Sequence, residues 1–472
     1  MLAGVRATAA EGTTFTVHNP ATGEVVAVVA EAGQEDVDRA VAAARRAQDA
    51  WALCGPSDRG AVLARLADLI EAEAEALALL ETTDNGLPVA ETRGMAAGAA
   101  AILRYYAGAA DKLLGQTMPN DAGGLLLTLR EPLGVAALIT AWNAPLVLAA
   151  LKAAPALVAG NAVLIKPSEL APRTTLRFAE LAHAAGVPAG CLSVLTGGGA
   201  VGAALVRHPD VAKVSFTGST STGIAIAREA AATLKRVTLE LGGKSAAVVF
   251  EDADLERIGE VAPGAAFGMA GQDCCARSRL LVQRSVYDEV LERYVARTNR
   301  LIVGDPLDPA TDIGPLISAA HRDRVDACVR EGVAEGAIVL TGGAPPAHLD
   351  GSAGWYAPTV LDGVHPGMRV AREELFGPVV SVLPFTDEDE AVRLANATPY
   401  GLSGSIWTRD VGRAVRVSRR IRSGVLAVNS NTSVYLQAPF GGTKLSGLGR
   451  EYGLAALEEN TELKTLFLAG TA

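Results

Sequence analysis

Short apolar runs alternate with amphipathic stretches between Val135 and Gly243: VAALIT, AVLIKP, CLSVLT, AKVSFTG and KRVTLELGG begin at residues 135, 162, 191, 212 and 235. β-Branched runs separated by helical patterns predict βαβ units around a parallel sheet, because strands buried on both faces read as continuous apolar stretches. This is a nucleotide-binding style of architecture. A second alternating block, from Ser245 to about Asn429, carries AAVVF, RLLVQ, AIVL, VVSVLPF, GSIWT and GVLAV and predicts a second α/β domain. Upstream, Leu63, Leu66, Ile70, Leu77 and Leu80 form one stripe, read as a single long helix from near Ser57 to a cap at Asp84-Asn85-Gly86. The stretch Pro145 to Lys166 is apolar, but Lys152, Pro155, Gly160 and Asn161 interrupt it, which predicts a buried helix and strand rather than a membrane span. Gly115 to Arg130 and the terminal TELKTLFLA are strand-like without helices of their own, so each must pair with something elsewhere.

Composition narrows the class. With 472 residues, 49% hydrophobic and 20% charged, the chain is a globular protein of two or three domains. A net charge of −10 without Lys/Arg runs argues against nucleic acid or an anionic membrane as partner and favours a small ligand. Five cysteines, at 54, 191, 274, 275 and 328, are too few and odd in number for a disulfide framework. The start, MLAGVRATAAEGTTF, lacks the apolar region of a signal peptide, so a reducing, cytoplasmic location is expected.

Three glycine motifs invite a phosphate reading. Gly197-Gly198-Gly199-Ala200-Val201-Gly202 fits GxGxxG, but no acidic residue ends the next strand, which favours an ordinary strand-to-helix turn. Gly242-Gly243-Lys244-Ser245 resembles the end of a P-loop, yet position 238 is Thr and the preceding residues form a strand, so no phosphate cradle is expected. In Phe216-Thr217-Gly218-Ser219-Thr220-Ser221-Thr222-Gly223 a strand enters a hydroxyl-rich helix start, which suits either a pyrophosphate or a plain capped turn. The vicinal thiols of Gly271-Gln272-Asp273-Cys274-Cys275-Ala276 are either buried and inert or nucleophilic. Six scattered histidines weigh against a Cys-His hydrolase, and no CxxC or HExxH supplies a metal site. Glu240, at an apolar strand end, is either a paired core carboxylate or a functional one.

Taken together, seven motifs resemble the NAD(P)-dependent aldehyde dehydrogenase superfamily in order and spacing: Ala141-Trp142-Asn143-Ala144-Pro145, Gly160-Asn161 with Lys166-Pro167-Ser168-Glu169, FTGSTSTG, LELGGKS, GQDCCARSR, Glu373-Glu374-Leu375-Phe376-Gly377-Pro378 and Pro439-Phe440-Gly441-Gly442. The resemblance implies a Rossmann-like cofactor domain, an α/β catalytic domain and a small β oligomerisation extension. It divides the chain into residues 1–114 and 131–242 for NAD binding, 243–445 for catalysis, and 115–130 with 446–472 for oligomerisation into a homodimer or homotetramer. Cys274 would attack the aldehyde as nucleophile, and Asn143 with the Cys274 N–H would bind the oxyanion. Hydride would pass to the nicotinamide to leave a thioester, which water activated by Glu240 would hydrolyse. Lys166 and Glu169 would hold the adenosine ribose, Ser219 a phosphate, Glu374 the nicotinamide ribose, and Phe376 the ring, with Trp142, Ser168 and Gly218 completing the cofactor site.

Two positions depart from the family pattern. Ala141 replaces a usual proline, and Ala144 replaces a bulky aromatic. By analogy Ala144, Leu148, Leu151, Asp273, Cys275, Thr432, Val434 and Phe440 line the substrate tunnel, and Ala144 widens it. A bulky or aromatic aldehyde is expected, with an amino-aldehyde or semialdehyde as alternative because Asp273 is acidic. CoA-acylating relatives commonly lack the glutamate at position 240, which counts against that chemistry. Glu169 predicts NAD over NADP, since a carboxylate on the ribose hydroxyls repels a 2′-phosphate.

Overall fold

The computed structural model describes residues 1–2, 4–349, 351 and 353–470. Five of the predicted runs form one sheet, in the spatial order Arg236–Glu240, Lys213–Thr217, Val135–Ile139, Ala162–Lys166, Leu192–Val194. These five run parallel, and the short strand Gly447–Leu448 adds antiparallel to the outer edge of Arg236–Glu240. Strand order reverses at Val135–Ile139: the chain first builds outward through Ala162–Lys166, then returns to the other side with Lys213–Thr217. Such a reversal opens a crevice at the carboxyl ends of the strands.

Ala246–Val249, Arg279–Gln283, Val379–Phe385, Gly404–Trp407 and Ala427–Val428 form the parallel part of a second, seven-stranded sheet. Its far edge holds Thr359–Asp362, parallel to Val379–Phe385, and the antiparallel Ile338–Thr341. The two strand-like segments pair with each other: Thr461–Leu468 lies antiparallel to Leu125–Pro132, with Thr465 opposite Thr128, and Thr117–Met118 adds on the other side. The aldehyde dehydrogenase-like α/β architecture expected from the motifs is thus the observed one.

Two features differ from the sequence reading. The expected long helix is two helices, Pro56–Ala72 and Ala74–Asn85, because Glu73 leaves helical geometry at φ −106°, ψ 13°. The apolar stripe continues across the break, which is why periodicity alone joins them; its far cap stands, with Gly86 at φ 77°. The hairpin Thr14–His18 with Val25–Ala30 was not anticipated either, since most of its residues are at least partly exposed and form no buried run.

Helix Pro145–Val158 explains the apolar stretch. It is buried almost throughout, so truncating Leu157 to alanine would cost ~2–5 kcal/mol in transfer and cavity energy. Its one charge, Lys152, is paired with Glu451 and donates to Ser215 Oγ at 3.0 Å. Among the described residues, no helix is long and apolar enough to cross a membrane.

Candidate active site

A cleft of about 630 Å³ opens at the strand reversal. Its wall is built from the carboxyl ends of Val135–Ile139, Ala162–Lys166, Lys213–Thr217 and Arg236–Glu240, and from the facing sides of helices Gly199–Arg207 and Thr220–Ala231. Cys274 and Glu374 to Phe376 close its other end. Eleven of the residues singled out from the sequence share this wall: Trp142, Asn143, Lys166, Ser168, Glu169, Gly218, Ser219, Glu240, Cys274, Glu374 and Phe376.

Glu240 occupies the last position of its strand, with its backbone between Thr217 and Gly447. Its side chain is buried, yet neither carboxylate oxygen has a hydrogen-bond partner. Burial first, then the nearby Glu451 charge, pushes its carboxyl well above the usual range, against the pull of Lys152 and Arg450. Gly441 makes room for it, since a Cβ there would stand 2.7 Å from Glu240 Oε1. Such an acid retains its proton to higher pH than an ordinary carboxyl and is not half of a salt bridge.

The thiol of Cys274 is half-buried and lies in the cleft wall. Its proton is held by the neighbouring Cys275 thiol, then by burial and adjacent negative charge, which together raise its pKa well above the ordinary thiol value. The segment before it is strained: Met269 and Ala270 adopt φ of 55° and 54°, followed by Gly271 at 69°. Two consecutive non-glycine residues in that region cost about 1–2 kcal/mol each. Glu91 holds the segment, both of its oxygens accepting from the Met269 N–H at 3.1 Å. Gln272 then takes three roles. Its carbonyl accepts from Asn143 Nδ2 at 2.9 Å, its Oε1 accepts from the Ile317 N–H at 2.9 Å, and the Trp142 indole reaches the same oxygen at 3.4 Å. One Asn143 amide hydrogen is thereby fixed and the other is left free at the cleft.

The Gly242-Gly243 pair also receives a physical reason. A Cβ at Gly242 would fall 2.0 Å from Glu374 Oε2, and one at Gly243 would fall 2.5 Å from the Cys274 carbonyl. The glycines let Glu374 and the Cys274 loop approach the strand end. Glu374 accepts from the Gly243 N–H at 2.9 Å, and burial pushes its carboxyl up to about 7. Phe376, at φ 55°, meets Trp142 edge to face at 5.5 Å.

At the opposite end, Lys166 Nζ pairs with Glu169 Oε2 at 3.1 Å, and Ser168 Oγ accepts from the Leu170 N–H at 3.3 Å. Ser219 caps helix Thr220–Ala231, accepting from the Thr222 N–H at 3.3 Å, so the hydroxyl-rich turn is a capped helix start facing the cleft. Gly199, which opens helix Gly199–Arg207 within the GxGxxG-like run, lies in the same wall. An elongated ligand with polar groups along its length fits this cleft, because Thr140, Asn143 and Thr217 add buried oxygens without partners to those of Glu240.

The eight residues expected to line a substrate tunnel stand outside this cleft. Leu151, Cys275 and Phe440 are buried in the hydrophobic cluster against which Cys274 packs; Ala144, Leu148 and Asp273 are half-buried, and Thr432 and Val434 are exposed. None of the eight lines the large cleft. Sequence reasoning missed His321 and Arg324, which do. His321 donates through Nε2 to the Phe376 carbonyl at 2.7 Å and accepts from Arg324 through Nδ1 at 2.8 Å, a neutral imidazole whose pKa burial lowers. Its setting, Ala319-Ala320-His321-Arg322, carries no motif that marks it.

Comparison with known proteins agrees with this geometry. A profile of the aldehyde dehydrogenase family matches residues 7–466. A betaine aldehyde dehydrogenase of Rhizobium leguminosarum bv. trifolii (strain WSM2304) is 46% identical over 460 residues, covering 97% of this chain and 94% of the relative. An NAD-dependent aldehyde dehydrogenase from Sinorhizobium meliloti superposes with TM-score 0.97 at 42% identity, over 99% of this chain and 94% of that one. The indole-3-acetaldehyde dehydrogenase AldA of P. syringae, solved with NAD+ and IAA, gives TM-score 0.97 at 41% identity, over 99% and 96%. Cleft, ordered motifs and relatives converge: the chain belongs to the aldehyde dehydrogenase family.

Proposed function

We propose that this NAD-dependent aldehyde dehydrogenase oxidises a bulky or aromatic aldehyde to its carboxylic acid through a thiohemiacetal and a thioester on Cys274. The observation that carries the reading is one cleft wall holding a half-buried thiol together with a buried carboxylate, Glu240, that no other group satisfies. Glu240 first accepts the Cys274 proton, so that thiolate sulfur attacks the aldehyde carbon. The free Asn143 amide hydrogen and the Cys274 N–H, which bonds to no other described residue, then donate to the developing oxyanion. NAD, when bound, supplies the hydride acceptor. Lys166 and Glu169 hold its adenosine ribose, the Ser219 turn a phosphate, and Glu374 its second ribose. Glu240 passes the first proton to solvent, then takes a proton from water as the water oxygen attacks the thioester, and returns that proton to Cys274 as the thiol leaves.

Ala144 beside Asn143 supports a roomy acyl site, as does the aromatic substrate named for the P. syringae relative. Betaine aldehyde is the second reading, favoured by the 46% identical relative and by Asp273 beside the thiol. An NADH-linked panel of aromatic, aliphatic, amino and quaternary-ammonium aldehydes decides it: the highest kcat/KM on an aromatic member supports the first reading, and on betaine aldehyde overturns it.

Glu169 has one oxygen on Lys166 and the other free for ribose hydroxyls. NAD is therefore expected to outperform NADP at equal concentration, and Glu169→Ala to shrink that preference by about tenfold or more, the worth of a charged hydrogen bond. Initial rates with both cofactors measure it; an unchanged ratio removes Glu169 from cofactor choice.

A homo-oligomer completes the reading. Thr461–Leu468 is an edge strand with exposed apolar residues on both faces, Leu463 and Phe467 on one and Leu466 and Leu468 on the other, suited to a second copy of the chain. Sedimentation velocity should show a dimer or tetramer, and a monomer at micromolar concentration would refute this.

A further inference from the structure

Asp273, Cys274 and Cys275 form a cluster that the proposed oxidation does not use as a unit. One oxygen of Asp273 and the two sulfurs all lie within 4.8 Å of one another. Two atoms bound to one tetrahedral ion at ~2.3 Å stand about 3.8 Å apart, so the three must close by about 1 Å or less, through side-chain rotation, to share one. Asp273 Oδ1 already accepts from the Cys275 N–H at 2.9 Å, which fixes the carboxylate over the turn and leaves its second oxygen for a ligand. The neighbourhood is charge-matched as well. Arg277 is buried beside the pair, its guanidinium held by the Cys275 carbonyl and, at 2.7 Å, by Ser433 Oγ. Two thiolates and one carboxylate carry three negative charges, which a divalent cation and this guanidinium together neutralise.

We propose that Asp273, Cys274 and Cys275 form a binding site for a soft divalent cation, zinc or cadmium, that closes over the nucleophile. Thiolate sulfur selects such ions over magnesium or calcium, whose preferred ligands are all oxygen. Binding is not a redox step: two S–H bonds break, two metal–sulfur bonds form, and two protons leave to solvent. Cys274 stands in the cleft wall, so the ion has an entry path, and a water would complete its fourth position. Vicinal spacing is the reason the site is invisible to a search for CxxC. While the ion is bound, the sulfur lone pair that would attack the aldehyde is engaged, and oxidation stops until a chelator removes the metal. This last consequence, unlike the binding itself, rests on Cys274 being the nucleophile.

The test uses the full chain, reduced and freed of metal. Titration with Cd2+ should raise a thiolate-to-cadmium charge-transfer absorption that saturates at one ion per chain. Cys275→Ser and Asp273→Asn should each weaken it by at least about tenfold, the scale on which losing one supporting group acts on a metal site. Zn2+ should compete for the same site, suppress aldehyde oxidation in step with occupancy, and release it on adding EDTA. No sulfur–cadmium band in the wild type, or equal affinity in wild type and both variants, overturns the site. Binding that leaves oxidation intact upholds the site and overturns the nucleophile assignment instead.

Discussion

Cys274→Ala is expected to abolish both the first burst of NADH and all later turnover, with a loss of at least ~10⁴ in kcat. Every covalent step proposed here passes through that sulfur, and removal of a nucleophile leaves only binding and the oxyanion donors, which elsewhere retain a small remnant of the rate. The neighbouring Cys275 does not substitute, because it is buried and, unlike Cys274, does not line the cleft. NAD affinity should be nearly unchanged, since the groups facing the ribose and phosphate positions are carried by other strands. Stopped-flow absorbance at the NADH band and a separate binding titration measure the two quantities. A burst of normal size in the alanine variant would sink the covalent mechanism.

Glu240→Gln separates the two halves of the reaction. The amide fills the same space without accepting a proton, so the burst should survive, slowed where thiol deprotonation depends on Glu240, while steady turnover falls by ~10²–10⁴. Its pH dependence has a fixed sign. Burial holds the Glu240 carboxyl well above the usual carboxylate range, and only the ionised form serves as a base. Wild-type kcat should therefore rise with pH as Glu240 loses its proton, and level off above its raised pKa. In the Gln variant that ascending limb should vanish. Steady turnover at wild-type rate, or an unaltered ascending limb, would show that another group activates the water.

Most of the fold was readable because its strands are buried on both faces. Runs such as AVLIK and RLLVQ have no polar alternation to confuse them with surface strands, and the helices between them are amphipathic. Partly exposed strands fail that test, as Thr14–His18 does, and a one-residue departure from helix geometry at Glu73 leaves no mark on a stripe of leucines. The motifs mark Cys274, Glu240 and Asn143, which the fold brings to one cleft wall. Glu91 carries no such mark, because it reaches the Met269 N–H from 178 residues away and its own helix shows only an unremarkable acid near its start. Of the tunnel residues taken from family analogy, Thr432 and Val434 lie on an exposed loop whose shape no local pattern specifies.

The support behind Glu240 comes from the far end of the chain. Leu241 donates to the Ser446 carbonyl at 3.0 Å, Ser446 Oγ donates to the Gly242 carbonyl at 2.7 Å, and Gly447 pairs with Glu240 itself. The same stretch of chain then runs on into the exposed strand Thr461–Leu468. Loss of the chain beyond a nick in the 430–440 loop would therefore spare the five parallel strands that frame the cleft while removing the contacts behind Glu240. Clipped molecules in a preparation would bind dinucleotide like intact ones and contribute little steady rate. Burst amplitude per chain, rather than protein concentration or cofactor stoichiometry, should be set against C-terminal integrity by mass before rates of different preparations are compared.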